Sequence, residues 1–213
     1  IVLTNMPDTG FKSVGEAIAR IEPGQEAKFV TGAYPNQMQA IAIKNNFAYM
    51  PNVGASPNGP VAFNVSTQSL VHILDTTTNQ DTGLTINLHK AVASQPEGPR
   101  KLFLAVPWAI AFKNNQNEGY VVSAASNVLV KITADPTTGA LTVVNNPLDG
   151  SVLEIPVGRN PRGIVINNSD TRAYVMNYIS RDVTVLDLTR FPEQVNATLR
   201  STALPAAGST EEL

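Results

Sequence analysis

The sequence predicts an all-β fold of repeated antiparallel sheets, each of four short strands. Three observations lead there. Strand signals of four to six residues alternate with clusters of Asn, Asp, Ser and Gly, which form turns because their side chains bond local backbone and tolerate left-handed geometry. The order of strands and turns recurs three times along the chain. Composition agrees: 43% of residues are hydrophobic and 15% charged, against about 25% charged in an ordinary globular domain. Asn, Thr, Ser, Gly and Pro fill the difference, as short strands with many turns require.

The third unit is the clearest. Residues 163–166 (GIVI) form an almost continuous apolar run, the pattern of a strand buried on both faces. The turn 167–170 (NNSD) leads to a second strand, 172–176 (RAYVM). After the turn 177–181, residues 183–188 (VTVLDL) alternate apolar and polar, and 196–199 supply a fourth strand. In the second unit, 107–112 (PWAIAF), 119–122 and 128–132 repeat the order, with 141–144 or 152–157 as fourth strand. The first unit runs through 39–43 (QAIAI), 47–50 and 61–65, with 84–88 and 101–105 competing for the fourth place. A Pro precedes a Tyr by thirteen or fourteen residues in each unit: Pro35 and Tyr49, Pro107 and Tyr120, Pro161 and Tyr174. The prolines are 72 and then 54 residues apart, so insertions fall mainly in the first unit.

Repeats of this length and strand content stack radially as propeller blades. At roughly 50 residues per blade, the chain holds about four, which reads as part of a larger β-propeller. Residues 1–204 are assigned to it, with blades starting near Pro35, Pro107 and Pro161 and a partial N-terminal blade whose second strand ends at 1–5 (IVLTN). Residues 205–213 read as a linker or the start of a helical domain, since Ser209 and Glu212 have capping-box spacing.

Residues 173–177 (AYVMN), with flanks 158–163 (GRNPRG) and 182–188 (DVTVLDL), resemble the Tyr-Val-Thr-Asn repeat of bacterial and archaeal β-propellers. Residues 133–142 (TADPTTGALT) are similar to the strand-linking turn of lactonase-type propellers. The resemblance covers most of the chain, most closely in the last unit, and implies the fold rather than an activity. Propellers of this repeat type are sometimes followed by a di-haem cytochrome c peroxidase-like domain, and 205–208 (PAAG) resembles such a junction. The chain has no Cys and therefore no Cys-x-x-Cys-His haem attachment. No cofactor is expected in it; haem would belong to the following domain.

A net charge of −2 offers no electrostatic case for nucleic acid, and no run reaches the ~18 apolar residues of a membrane helix. Few Lys and many Asn and Thr favour a periplasmic or extracellular setting. His72 and His89 are read as side chains on the polar faces of strands, without a second His or a carboxylate at ligand spacing. Residues 75–83 carry oxygen side chains at alternate positions like a calcium loop, but Ile86 stands where a bidentate Glu would close it, so a turn is preferred. There is no Gly-x-Ser-x-Gly elbow and no phosphate-binding Gly-rich loop. The leading expectation is a non-catalytic propeller segment of a larger exported protein, acting as a docking scaffold beside a haem peroxidase-like domain. A lactonase-type hydrolase with a site at the channel mouth and a surface-layer or adhesion repeat protein are the alternatives.

In a propeller the first strand of each blade is innermost. The loop entering it and the loop between strands two and three open on one face. That rule collects Asn36, Gln37, Asn52, Trp108, Arg159, Arg162, residues 123–127 and 177–181 on one rim. Trp108 and Arg162 follow their prolines in the same slot. Arginine and tryptophan favour interface anchors, so Trp108, Arg159, Arg162, Asn177 and Arg181 are the binding candidates. The partner would be a protein or a neighbouring domain of the same polypeptide. Tyr49, Tyr120 and Tyr174 are expected to be structural, filling space between blades.

Overall fold

The computed structural model describes residues 34–55, 67–93, 103–200, 203 and 208. These form three antiparallel sheets, the blades, in chain order. Blade 1 contains β1 (Tyr34–Asn36), β2 (Ala42–Lys44), β3 (Phe47–Ala55), β4 (Thr67–Asp75), β5 (Gln80–Asp81) and β6 (Ile86–Asn87), followed by the short helix α1 (Leu88–Ala93). Blade 2 contains β7 (Pro107–Phe112), β8 (Glu118–Ser123), β9 (Val128–Ala134), β10 (Leu141–Val143) and β11 (Glu154–Pro156). Blade 3 is the plain four-stranded form: β12 (Pro161–Ile166), β13 (Arg172–Asn177), β14 (Asp182–Asp187) and β15 (Gln194–Leu199).

Several sequence expectations change. In blade 2 both candidates for the fourth strand pair with β9, β10 through Leu141↔Ala134 and β11 through Ile155↔Leu129. Residues 61–65, expected as the third strand of blade 1, lie outside the described residues; the third strand is β4. His72 on β4 is therefore buried in a sheet rather than displayed on a polar face. Only Ile86 and Asn87 of 84–88 form a strand, because α1 starts at Leu88 and carries His89 into the core. Of 101–105, the described residues 103–105 form no strand.

The strand registers also correct the proline phase. Ala42, Ala111 and Val165 face Tyr49, Tyr120 and Tyr174 respectively. Counting back from these pairs aligns Met38, not Pro35, with Pro107 and Pro161. Pro35 lies on β1 opposite Gly54. The preceding residue in each blade is left-handed: Gln37 (φ 51), Val106 (φ 56) and Asn160 (φ 52). The repeated feature is thus a backbone kink, which Pro follows in two blades only.

Two apolar clusters lie in the joints between blades. Tyr49, Val71 and Ile73 of blade 1 pack with Val121, Val130 and Ile132 of blade 2 and with Leu88 and Val92 of α1. Tyr120, Val122 and Leu129 of blade 2 pack with Ala173, Val175 and Leu186 of blade 3. Each such Val, Leu or Ile contributes about 1.5–3 kcal/mol on burial. Alternation along each strand makes this possible: Ala173 and Val175 face blade 2, whereas Tyr174 and Met176 point away.

The turn between strands three and four has one design. Asp75, Asp135 and Asp187 each accept a hydrogen bond through Oδ1 from the N–H of the Thr two residues on, at 2.7, 2.9 and 2.9 Å. The Asp-x-Thr spacing that builds this Asx turn recurs in all three blades. On the same lower face, turns between strands one and two are tied across blades. Lys44 Nζ donates to the carbonyls of Lys113 and Asn114, both at 2.8 Å. Asp170 accepts from the N–H groups of Asn114 and Asn115, at 2.7 and 2.8 Å, and from both side-chain amides. Burial opposes ionisation of Asp170, but these donors outweigh it and hold its pKa below the ordinary value.

Candidate functional site

Blades 2 and 3 build the opposite, upper rim with matching backbone hydrogen bonds. In blade 2, Ala124 N–H donates to the Val106 carbonyl and Ala125 N–H to the Ala105 carbonyl, while Ser126 Oγ accepts from Ala105 N–H. In blade 3, Tyr178 N–H donates to the Asn160 carbonyl and Ile179 N–H to the Arg159 carbonyl, while Ser180 Oγ accepts from Arg159 N–H. The turn closes through a left-handed residue in both, Asn127 (φ 59) and Arg181 (φ 55). A cross-blade tie fixes the two turns: Asn127 Oδ1 accepts from Asn160 N–H at 2.8 Å.

This frame places Arg162 between two aromatic rings. Its guanidinium carbon lies 4.6 Å from the Trp108 centroid and 4.2 Å from the Tyr178 centroid. Its Nε donates to Asn160 Oδ1 at 2.6 Å. Cation–π stacking of this kind contributes about 0.5–2 kcal/mol. The stack also fixes the plane of the guanidinium. With Nε used, the two Nη groups form the free end of a planar fork, the geometry that grips a carboxylate through two parallel hydrogen bonds.

The predicted rim residues divide. Trp108 and Arg162 meet across the joint. Arg159 and Arg181 are exposed beside them, and Arg159 anchors the turn through its backbone. Asn177 does not reach the rim surface. It is buried, with its amide donating to Asp182 Oδ1 at 2.7 Å and Thr184 Oγ1 at 2.8 Å. Sequence reasoning missed Tyr178 as a partner of Arg162 and Ile179 as an exposed apolar neighbour; the signal was two large apolar residues in a turn where blade 2 has Ala124 and Ala125.

Other polar groups have structural roles. Asn52 Nδ2 lies 2.7 Å from His72 Nδ1 in the slot where blade 3 pairs Asn177 with Thr184. Burial lowers the His72 pKa to about 4, against a smaller opposing effect of Asp81. Burial also lowers that of His89 to about 4, and pushes the Glu154 carboxyl up to about 7. Below the joint of blades 2 and 3, Glu118 Oε2 bridges Lys113 Nζ at 2.6 Å and Lys131 Nζ at 3.2 Å. Glu193 Oε1 then takes Lys131 Nζ and the Tyr120 hydroxyl, both at 2.7 Å. This network borders a cleft of about 320 Å³ that Arg190 and Phe191 also line. Its two lysines are matched by two carboxylates, and Arg190 pairs with Asp187 at 3.5 Å. Among the described residues, no three His, Cys, Asp or Glu are grouped to hold a metal ion, and no helix is long and apolar enough to cross a membrane.

Solved structures share this architecture. A functionally unknown protein from Desulfotomaculum acetoxidans superposes with TM-score 0.52 and 17% identity over 79% of this chain and 44% of its own. The periplasmic gluconolactonase PpgL of Pseudomonas aeruginosa gives 0.53 and 12%, over 84% and 46%. Hydrazine synthase of Kuenenia stuttgartiensis gives 0.52 and 12%, over 72% and 46%. The fold is a β-propeller. At these identities the likeness concerns fold alone, and the chain spans less than half the length of each of these structures. No protein family matches the sequence, and no curated protein matches it.

Proposed function

We propose that this chain is a non-catalytic β-propeller segment of a larger exported protein, of the Tyr-Val-Thr-Asn repeat type, and that its upper rim docks an acidic protein surface. One observation carries the reading: Arg162 is clamped by Trp108, Tyr178 and Asn160, and its Nη fork has no hydrogen-bond partner among the described residues. A side chain already held in one orientation loses little rotamer freedom on binding, which is how preorganisation raises affinity. Arg159, exposed on the same turn, adds positive charge, and Tyr178 and Ile179, 58% and 52% exposed, provide apolar area beside it. Arginine with aromatic neighbours is the composition of interface anchors. A neighbouring domain of the same polypeptide, of the haem peroxidase-like kind, is the partner this reading favours. A periplasmic or extracellular setting fits the composition and the periplasmic location in the PpgL name.

The test is titration with a tetraglutamate peptide, followed by calorimetry or by the Trp108 fluorescence. Arg162→Glu should weaken binding at least tenfold, about 1.4 kcal/mol. Arg162→Lys, which keeps the charge but loses the fork, should also weaken it. Equal affinity of the wild type and Arg162→Glu, with unchanged thermal stability, would sink the proposal.

A further inference from the structure

We infer that the cleft below the joint of blades 2 and 3 is a binding site for a single pyranose ring of a neutral carbohydrate. It lies on the face opposite the Arg162 rim and does not rest on the docking role proposed there. The strand registers show how the cleft arises. Tyr49 faces Ile73 as Tyr120 faces Lys131, and Phe47 faces Asp75 as Glu118 faces Thr133. Glu118 and Lys131 of blade 2 therefore stand where blade 1 has Phe47 and Ile73. Across the joint, Gly139 follows Asp135 by four residues, and Phe191 follows Asp187 by four. Between blades 1 and 2, Phe47 and Ile73 belong to the apolar core, and Phe47 fills the space over Gly139 so closely that an added Cβ would lie 2.5 Å from its Cγ. Between blades 2 and 3 both choices are reversed. Charged side chains replace the apolar pair, and the aromatic ring stands on the outer lip, where Phe191 is 53% exposed. The space that one joint fills is a cleft of about 320 Å³ in the other.

The lining selects the ligand. The Lys113 and Lys131 side chains are 6% and 4% exposed, and Glu118 and Glu193 hold them. Each buried ammonium already has its counter-charge, so a charged ligand would have to displace one. What stays open is hydrogen-bonding capacity. Among the described residues, Glu118 Oε1, the Gln116 amide nitrogen and the Thr133 hydroxyl have no hydrogen-bond partner, although all three side chains line the cleft. Lys113 Nζ uses two of its three N–H groups, on Gln116 Oε1 at 3.1 Å and Glu118 Oε2 at 2.6 Å. Donors and acceptors thus stand together around a neutral site. Hydroxyl groups, each both donor and acceptor, match that lining. Phe191 supplies the remaining feature. Lys131 Nζ holds its ring at 4.5 Å from the centroid, and the exposed part of the ring gives a flat apolar surface beside the polar groups. A pyranose has both characters, a C–H face that stacks on an aromatic ring and an edge of hydroxyls. An aromatic wall with a few fixed polar groups is the usual make-up of a small-molecule pocket, and this volume is at the small end of the range, about 300–1,000 Å³. One ring fits it.

The test is a nuclear magnetic resonance titration of the isotope-labelled 213-residue chain with the methyl glycosides of glucose, galactose and mannose and with N-acetylglucosamine. At least one should shift the amide signals of Gln116, Glu118, Arg190 and Phe191 at millimolar concentration and leave those of Tyr178 and Ile179 in place. Phe191→Leu, which keeps apolar bulk and removes the ring, should weaken that binding at least tenfold. Gln116→Ala, a change on an exposed turn, should weaken it severalfold. Arg162→Glu should leave it unchanged, so failure here is read separately from failure of the rim proposal. Oligosaccharides of the sugar that binds identify its source: tighter binding than the methyl glycoside indicates a glycan chain end, and equal binding a free monosaccharide. No amide shift with any of these sugars, shifts confined to the upper rim, unchanged affinity in folded Phe191→Leu or Gln116→Ala, or tighter binding of glucuronate than of the neutral glucoside would each overturn the inference.

Discussion

The joint between blades 1 and 2 and the joint between blades 2 and 3 occupy equivalent places and use different chemistry. In the first, the Tyr49 hydroxyl meets a neutral carbonyl, and its ring packs against Phe112 at 4.7 Å between centroids. Burial, with a smaller contribution from Asp135, pushes the Tyr49 pKa up to about 12. In the second, the Tyr120 hydroxyl meets the buried carboxylate of Glu193, which also holds the buried ammonium of Lys131. Burial and then the Glu193 charge raise the Tyr120 pKa far above the ordinary phenol range. A neutral joint depends on fit, because a carbonyl needs no counter-charge. A charged joint depends on complete pairing, because an abandoned buried ion costs far more than a lost hydrogen bond.

The sharpest way to break this contrast is Glu193→Ala. It leaves Lys131 with the more distant Glu118 as its remaining carboxylate, beside the Phe191 ring, so unfolding by urea should show a loss of about 3–5 kcal/mol. A loss below 1 kcal/mol would mean that the second joint is not governed by charge. Next in size is Gly139→Ala, which probes the fit of the first joint. Its Cβ would lie 2.5 Å from Phe47 Cγ, on a residue at φ +76, and overpacking plus backbone strain predict a cost of about 2–4 kcal/mol. The paired hydroxyl deletions should differ in the same sense. Tyr120→Phe removes a hydrogen bond to a charged group, about 1.5–3 kcal/mol, and Tyr49→Phe a neutral one, about 0.5–1.5 kcal/mol. Equal losses would erase the distinction.

The smallest effect at neutral pH is a titration on the blade 1 side. His72 and His89 have folded pKa values of about 4, below the ordinary 6.5. The unfolded chain therefore binds more protons between those values, and stability present above pH 6.5 is lost as pH falls towards 4. His72→Thr, which copies the Thr184 position of blade 3, should flatten that decline in thermal scans. Glu154 works in the opposite direction: with its pKa raised from 4.5 to about 7, its contribution is present below pH 4.5 and lost as pH rises through 7. Glu154→Gln should flatten that limb alone.

Much of the fold was legible because strand alternation and turn chemistry are local. The third unit could be read almost residue by residue, and the slot shared by Trp108 and Arg162 followed from their prolines. Blade 1 was harder because its kink at Gln37 is a backbone state that a Met follows, so Pro35 attracted the alignment instead. His72 was misplaced because a buried strand with a polar residue looks like an exposed strand until its partners are known. The Asp-x-Thr spacing stands in all three blades but gains meaning only once the structure sets its turns beside the tyrosines they approach. The rim was legible as a set of loops, and Asn177 was placed on it because sequence distance does not reveal that Asp182 and Thr184 bind its amide inward. Tyr178 could be chosen only once the stack on Arg162 was seen, since cross-blade distances have no signature in one sequence.

The ties along the lower turns carry a geometric consequence. Lys44 clasps the turn of the second sheet, and the amides of Asn114 and Asn115 clasp Asp170 on the third. A clasp at the inner end of each sheet acts as a hinge pin that limits how far neighbouring sectors can splay. Since the sum of such sector angles must reach a full turn, the length of these clasping side chains helps to determine how many sectors a complete circle admits.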